Sequence, residues 1–230
     1  SSANSNTAVG MYTMQLVTTG GNNTALGYGA INKNSTGTDI VAIGKSAGYY
    51  ATGSQNTFVG KEAGKGGITS APYSSGQYNT AVGYQALDAF TTGESNVCVG
   101  VTAGDVITTG LNNTIVGKGS DPSANNATNQ TVIGFAVTGV ADNSVVLGNT
   151  AVTKVYMASD GDAEIYANGT INTSDRRLKE NIEDSDLGLD FVNKLRPVKY
   201  NYIKDKHDGK TKYGIIAQEV QEVLKESNNE

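Results

Sequence analysis

A serine and a lysine five positions apart, Ser174 and Lys179, are the residues with the clearest chemical potential in this sequence. A serine hydroxyl becomes a nucleophile when a base removes its proton. A lysine amine can be that base if burial or nearby positive charge lowers its pKa, and Arg176 and Arg177 lie between the two residues. In the alternative interpretation, Ser174 and Asp175 cap a helix and Lys179 is solvated. The pair alone does not decide between nucleophilic catalysis and helix capping.

The composition of the chain changes abruptly at this serine. Residues 1–173 hold 16 charged residues and no arginine, whereas residues 174–230 hold 23 charged residues in 57 positions. Glycine falls from 26 residues in the first part to 3 in the second. Hydrophobic residues make up only 37% of the chain and aromatic residues 7%, which argues against a conventional α/β enzyme core over most of its length. We therefore expect the two parts to have different types of structure.

The first part is a repeat whose core is Asn-Thr-x-Val-Gly. Its copies recur at spacings of 17, 17, 16, 23, 17, 17, 17 and 14 residues and end on Gly10, Gly27, Gly44, Gly60, Gly83, Gly100, Gly117, Gly134 and Gly148. Such regularity is typical of a repeat architecture. A second glycine usually lies three residues before the asparagine, and an alanine often follows the motif by three. The single long spacing, which contains Pro72, predicts an insertion looped out on the outer face.

Each unit is too short for two helices and a turn, and its core alternates as a short strand does. Glycine and asparagine at the corners tolerate positive φ. We therefore predict a mainly β fold, a β-solenoid or β-roll of about nine coils of about 17 residues, each adding one strand spacing of about 4.8 Å. Stacking would place asparagine above asparagine in a hydrogen-bonded ladder. Small side chains, with Cys98 among them, would form the core.

The repeat over residues 4–150 resembles the head of trimeric autotransporter adhesins, which carry Asn-Ser-x-Ala-x-Gly repeats of about this length. It is also similar to the β-rolls of bacteriophage tail fibres. The period of 17 is longer than adhesin heads usually show. The resemblance implies a homotrimer, in which three chains would share a core around a threefold axis. We assign residues 1–150 to the β-roll repeat domain.

Residues 151–173 break the period and are predicted to form a β connector, or neck. Asp160, Asp162 and Glu164 alternate there as in a calcium loop. The remaining ligand positions of an EF-hand are absent, so a solvated hairpin is the preferred interpretation. We expect no cofactor and no metal site.

Two ordered motifs in the second part carry a further resemblance. The first is Thr173-Ser174-Asp175-Arg176-Arg177-Leu178-Lys179-Glu180-Asn181-Ile182, and the second is Tyr213-Gly214-Ile215-Ile216-Ala217-Gln218-Glu219-Val220. This pattern resembles the intramolecular chaperone domain at the C-terminus of phage tail spikes and fibres, peptidase family S74, which has a relative in the myelin regulatory factor of animals. We assign residues 174–230 to the N-terminal part of such a domain.

The resemblance implies self-cleavage of the Thr173–Ser174 peptide bond. Ser174 would be the nucleophile and Lys179 the general base, and the composition boundary at Ser174 favours this role over helix capping. Asp175, Arg176 and Asn181 belong to the supporting motif. Gln218 and Glu219 of the second motif are assigned to packing or subunit contacts.

The rest of this part predicts a small α+β unit. A helix capped by residues 184–186 should end before Pro197. Strands over 198–202 and 212–216 should flank an Asp208-Gly209 hairpin, with His207 exposed in the loop. A second helix should cover 217–226. Because the chain begins without Met and the family domain usually continues past this point, we expect the sequence to be a fragment with a truncated chaperone segment.

These observations predict a structural virion protein, the distal part of a tail fibre or spike on the virion. It would attach to a host cell-surface receptor, a glycan or an outer-membrane component. Its C-terminal chaperone would drive trimerisation and cleave itself off once, as a serine endopeptidase with no other substrate. The near-neutral charge gives no basic footprint for nucleic acid, and no apolar run is long enough to span a membrane. The alternative is a trimeric adhesin head on a bacterial surface with a non-catalytic trimer cap.

Overall fold

The fold was analysed in a computed structural model that describes residues 4–155, 187–200 and 212–228. The chain divides into two compact units, Ser1–Asp162 and Ala163–Glu230. The first contains the repeats and the second contains two short helices and a strand pair.

The repeats form a β-solenoid, as the sequence predicts. Each copy of the motif contributes one strand of three or four residues, and all nine strands pair in parallel and in sequence order within one sheet. Equivalent residues stack directly, so that Thr7 pairs with Thr24, Ala8 with Ala25 and Val9 with Leu26. The strands delimit about eight turns of about 17 residues. They are β1 Thr7–Val9, β2 Thr24–Leu26, β3 Val41–Ile43, β4 Thr57–Val59, β5 Thr80–Val82, β6 Val97–Val99, β7 Thr114–Val116, β8 Gln130–Ile133 and β9 Ser144–Leu147.

The asparagine that precedes most strands joins consecutive coils through its side-chain amide. Asn96 is buried, and its Oδ1 accepts the backbone N–H of Asn113 in the next coil at 3.1 Å. Its Nδ2 donates to the carbonyl oxygen of Gly110 at 2.8 Å. Both contacts recur for the asparagines of other coils, namely Asn6, Asn23, Asn56, Asn79 and Asn113. The predicted asparagine ladder is therefore present.

The asparagine ladder is interrupted where Ile40 occupies the position of the asparagine. The backbone N–H of Ile40 still donates to Asn23 Oδ1 at 2.9 Å, but its own side chain offers no acceptor to the following coil. That coil is the one with the 16-residue spacing. The ladder resumes at Asn56, whose Nδ2 donates both to Gly53 of its own coil and to Gly76 of the next, each at 2.9 Å.

The glycine that ends each motif is required for two reasons. Gly100 has φ +141°, a conformation that side-chain-bearing residues rarely adopt. A Cβ added there would lie 2.6 Å from the carbonyl oxygen of Gly117, the equivalent glycine one coil further. The same close approach holds along the column, for example between Gly27 and the carbonyl oxygen of Gly44 at 2.6 Å. Glycine is therefore fixed both by backbone conformation and by the spacing between coils.

The core is filled by compensating large and small side chains at two inward positions of each coil. At Ala25 the residue six positions later is the large Ile31, and both are buried. Where the strand residue is Phe58, the later position is Gly64, and a Cβ there would collide with the Phe58 ring. Ala42 is followed by Gly48, and the space beside that glycine is filled by Phe58 and Ile31 of the neighbouring coils. Large and small side chains therefore compensate both within a coil and between adjacent coils, as close packing requires.

The long repeat accommodates its extra residues as the sequence predicts. Residues 69–72 are exposed, and the buried Ser74 returns the chain to the coil through a parallel bridge to Ala51. The hydroxyl of Ser74 also accepts the backbone N–H of Ile68 at 3.2 Å, which closes the base of the loop. The insertion therefore leaves the stacking of β4 on β5 intact.

The second unit has the predicted order of elements with shifted ends. Helix α1 spans Leu189–Lys194, strand β10 Pro197–Tyr200, strand β11 Lys212–Ile215 and helix α2 Ala217–Asn228. The two strands pair antiparallel, with Val198 opposite Gly214. The N-cap of α1 is Gly188, which makes no side-chain cap hydrogen bond. The cap predicted at 184–186, the Asp208-Gly209 turn and His207 lie outside the described residues. As predicted, α1 ends before Pro197, because proline cannot continue a helix.

Replacing one asparagine of the ladder should destabilise the solenoid strongly. Asn96→Ala leaves the buried N–H of Asn113 and the carbonyl of Gly110 without their side-chain partner, and each such loss costs about 1–3 kcal/mol. We expect the free energy of unfolding to fall by roughly 2–4 kcal/mol in urea titrations followed by circular dichroism. Thr92→Ala, at an exposed position on a coil, is the control and should stay within about 0.5 kcal/mol of the parent. Equal stability of both variants would contradict a structural role for the ladder.

Two glycine substitutions separate backbone conformation from coil spacing. Gly100→Ala combines a strained φ with overlap onto Gly117, and we expect a loss of about 3 kcal/mol or more. Gly119→Ala also places alanine at positive φ, +62°, but the nearest atom to its Cβ is 4.0 Å away. It should cost only about 1–2 kcal/mol. Chemical denaturation measures both, and similar losses would show that coil spacing does not restrict Gly100.

Candidate functional site

The residues predicted to carry chemistry lie outside the described part of the chain. Thr173, Ser174, Asp175, Arg176, Lys179 and Asn181 all fall within 156–186, as do Asp160, Asp162 and Glu164 of the connector. The cleavage site and the Ser-Lys dyad therefore stay predictions from the sequence. What the structure does place is the second motif of the C-terminal segment.

The second motif spans the end of β11 and the first turn of α2. Gly214 lies opposite Val198 in the strand pair, and the position a Cβ would occupy is 3.3 Å from Cε1 of Tyr200. A larger residue at 214 would push against this ring, which accounts for the glycine. Ala217 then begins α2, so that Gln218 and Glu219 occupy its first turn. An acidic residue at this end of a helix interacts favourably with the helix dipole.

Glu219 forms an ion pair with Arg196, which directly precedes β10. The guanidinium donates through both Nε and Nη2 to the two carboxylate oxygens, with Nε to Oε2 at 3.1 Å. The hydrogen bond and the charge of Arg196 lower the pKa of Glu219, and those of Glu219 raise the pKa of Arg196. A bidentate contact fixes orientation well, although exposed pairs stabilise little. The pair links the second motif to the loop that follows α1.

A second ion pair joins the two helices directly. Lys194 Nζ in the last turn of α1 lies 3.7 Å from Glu226 Oε2 in α2. Together with the Arg196–Glu219 pair, it connects α1 and its following loop to α2. From the sequence, Glu219 is expected in packing or subunit contacts, with no partner residue identified. The structure gives it an intrachain partner, Arg196, which no spacing rule in the sequence identifies because the two lie 23 residues apart.

The solenoid contains a charged feature that sequence analysis missed. Asp88, Asp105 and Asp121 come from three successive coils, and burial together with the charge of Asp105 raises the pKa of Asp121 to about 6. Backbone amides of Val106 and Asp105 offset part of this rise. Burial also raises the pKa of Asp105, and burial followed by the charge of Asp105 raises that of Asp88. Within the described residues, Asp121 Oδ1 is buried without a hydrogen-bond partner.

The thiol of Cys98 interacts electrostatically with Asp121 of this group of carboxylates. Burial, and then the charge of Asp121, raises the pKa of its thiol far above the usual value. The residue is fully buried in the core, as the sequence predicts. A buried, protonated thiol is a poor nucleophile. Cys98 therefore acts as a small hydrophobic side chain in the inward column of strand residues.

The described residues 4–155, 187–200 and 212–228 hold no group of three or more His, Cys, Asp or Glu side chains arranged to bind a metal ion. Among the same residues, neither helix has the length and apolar character needed to cross a bilayer. Side-chain amides and glycines set the coil stack, and two ion pairs hold the C-terminal helices.

Part of the second unit matches a known family model. Residues 174–228 match the family model of peptidase S74, described as chaperone of endosialidase. The match begins at the serine where the composition changes. No curated protein and no solved structure matches the chain. The matched domain, together with the β-solenoid, fits the C-terminal region of a tail fibre or tail spike. Such a domain indicates a chaperone role in trimerisation and therefore self-association of the chain.

The raised pKa of Asp121 predicts an unusual pH dependence of stability. A carboxyl group whose pKa is raised in the folded state favours folding while protonated, below about 3.8, and this contribution is lost as the pH rises through about 6. Asp121→Asn should therefore raise the melting temperature at pH 8 by roughly 2–4 °C, after allowance for partial exposure, and leave it unchanged near pH 4. Differential scanning calorimetry at both pH values measures the effect.

Asp142→Asn is the matched control with the opposite sign. Hydrogen bonds from the Thr128 backbone N–H, at 2.8 Å, and from the Gln130 side chain lower the pKa of Asp142. Its stabilising contribution is present above the usual pKa and is lost as the pH falls. This variant should melt slightly lower than the parent at pH 8. A lower melting temperature of Asp121→Asn at pH 8 would contradict the assigned cost of that carboxylate.

Proposed function

We propose that this chain is the distal region of a homotrimeric tail fibre or tail spike that attaches a virion to its host. Its C-terminal segment would assemble three chains and then remove itself by cutting the Thr173–Ser174 bond. The observation that carries the proposal is the match of residues 174–228 to the chaperone family, directly after a solenoid of interchangeable coils. The receptor would be a host surface glycan or an outer-membrane component.

The solenoid gives a physical reason for an assembly aid. Its strands stack residue on residue with the same three-residue pattern, so two chains shifted by one coil would present nearly the same surfaces to each other. Where register is weakly specified, alternative pairings compete. A unit at one end of each chain that associates first would set a single register for all coils. The Arg196–Glu219 and Lys194–Glu226 pairs support the internal order of such a unit.

In the proposed cleavage, Ser174 attacks the peptide bond that joins it to Thr173. Lys179 accepts the hydroxyl proton, and Ser174 Oγ attacks the carbonyl carbon of Thr173. The C–N bond breaks, the nitrogen takes up the proton as the new α-amine of Ser174, and an ester links Thr173 to Oγ. Water then hydrolyses the ester, which releases the Thr173 carboxylate and restores the hydroxyl. Removal of the aid after assembly would make unfolding of the trimer irreversible, so that its persistence would depend on its unfolding rate.

Mass spectrometry of the expressed full-length protein tests this proposal. We expect two products, the second beginning at Ser174, and only uncut chain from Ser174→Ala or Lys179→Ala. Lys179→Arg keeps the positive charge but cannot act as a base, so it should also stay uncut. Ser227→Ala and Lys199→Ala are the matched controls, and both should be cut like the parent.

The outcomes separate the parts of the proposal. Intact chain from the parent protein would overturn the protease role and favour a non-catalytic trimer cap. Cleavage that persists in Ser174→Ala would reject Ser174 as the nucleophile. Sedimentation equilibrium of the same samples should give three chains per particle, and a stable monomer would overturn the assembly role.

A further inference from the structure

The outer face of the nine-stranded sheet is a continuous uncharged surface. It is formed by the first and third residues of β1–β7 and by the equivalent outward residues of β8 and β9, and we call it the outer strand face. None of the nine strands contains a charged residue. One column of this face is aliphatic throughout and consists of Val9, Leu26, Ile43, Val59, Val82, Val99, Val116, Ile133 and Leu147.

Six of these nine aliphatic side chains are exposed in the single chain, and Val59, Val82 and Val116 are half-buried. Leu26 and Leu147 are each 47% exposed and Val99 is 36% exposed. At about 4.8 Å per strand the outer strand face runs for roughly 38 Å, and three residues per strand give the whole face a width of about 10 Å. The aliphatic column forms one edge of this face, and the column of first residues is mostly threonine. A patch on the order of 400 Å² is as large as soluble monomers usually show, and patches of that size mark interaction sites.

Charge lies outside the nine strands. The nearest charged residues are Lys45, Lys61 and Lys118, which directly follow the motif glycine and border the face. Asp88 and Asp105 lie five residues beyond that glycine. A partner that covers the outer strand face therefore buries no strand charge and avoids the cost of charge desolvation. Surfaces depleted in charge at their centre are typical of the buried core of protein interfaces.

The periodicity of the face identifies its partner. Its aliphatic side chains repeat once per coil, at the strand spacing of about 4.8 Å. They can interdigitate along the whole face only with a surface that has the same repeat distance. A second copy of this chain provides that surface, and the domain matched by residues 174–228 implies that the chain self-associates. Because each chain carries this domain at its C-terminal end, the copies would lie parallel.

We propose that the outer strand face is the surface through which three copies of the solenoid pack around a common axis, parallel and in the same register. This inference rests on the proposed function, because it assumes the trimer and adds which face of the coil is buried in it. The charged sides of the coils then face solvent in the assembly.

Cysteine labelling of the full chain tests the inference. Leu26→Cys and Val99→Cys are introduced in a Cys98→Ala background, since alanine already occupies that column at Ala25, Ala42 and Ala81. Thr36→Cys and Thr92→Cys, at exposed positions away from the strands, are the matched controls. In the assembled protein, a maleimide probe should react at least about tenfold more slowly with the face variants than with the controls, as burial in an interface core requires. All four should react alike after denaturation.

A charge substitution gives an independent readout. Val99→Lys should reduce the particle to single chains in sedimentation, whereas Thr92→Lys should leave it assembled, with circular dichroism reporting that both solenoids fold. Equal labelling of face and control cysteines in a protein that sediments as an oligomer would overturn the inference and leave the proposed assembly standing. A parent protein that sediments as a monomer would overturn both.

Discussion

The side-chain amide of the asparagine that precedes most strands is the interaction on which the solenoid depends. A coil of three strand residues and several turns leaves many backbone groups without regular partners. The amide of Asn96 supplies an acceptor and a donor at one corner, bonding Asn113 N–H and the Gly110 carbonyl in the next coil. Since these groups are buried, leaving them unpaired would be costly. The asparagine therefore fixes both the distance and the register between coils.

That short distance dictates the other regular features of the repeat. When successive backbones lie one strand spacing apart, a column of stacked corners has no room for a Cβ, and glycine follows at Gly100 and Gly117. The interior is equally narrow, so the large ring of Phe58 is accommodated by glycine at Gly64 in its own coil and at Gly48 in the preceding coil. Stability then grows by addition of coils rather than by a single large core. The uncharged outer strand face is a consequence of the same stacking, since like residues lie on like.

Regular stacking leaves the alignment between chains weakly specified. Coils that resemble each other so closely define no unique alignment between chains. The C-terminal segment, which matches the chaperone of endosialidase model, has its own helices and strand pair and a composition unlike that of the coils. The change of composition at Ser174 separates a part built from stacked coils from the part that, in the proposed function, sets the alignment.

The sequence by itself determined the coil architecture, the asparagine ladder, the burial of Cys98 and the order of elements after Ser174, because each rests on local period or on stacking of identical positions. Tertiary structure alone decided the compensation between Phe58 and Gly64 and the pairing of Arg196 with Glu219. It also brought together the carboxylates Asp88, Asp105 and Asp121, whose raised pKa values depend on burial and mutual charge. A periodic sequence reveals what repeats along the chain. It does not reveal which non-repeating side chains meet between coils, because those contacts depend on three-dimensional distance rather than on spacing.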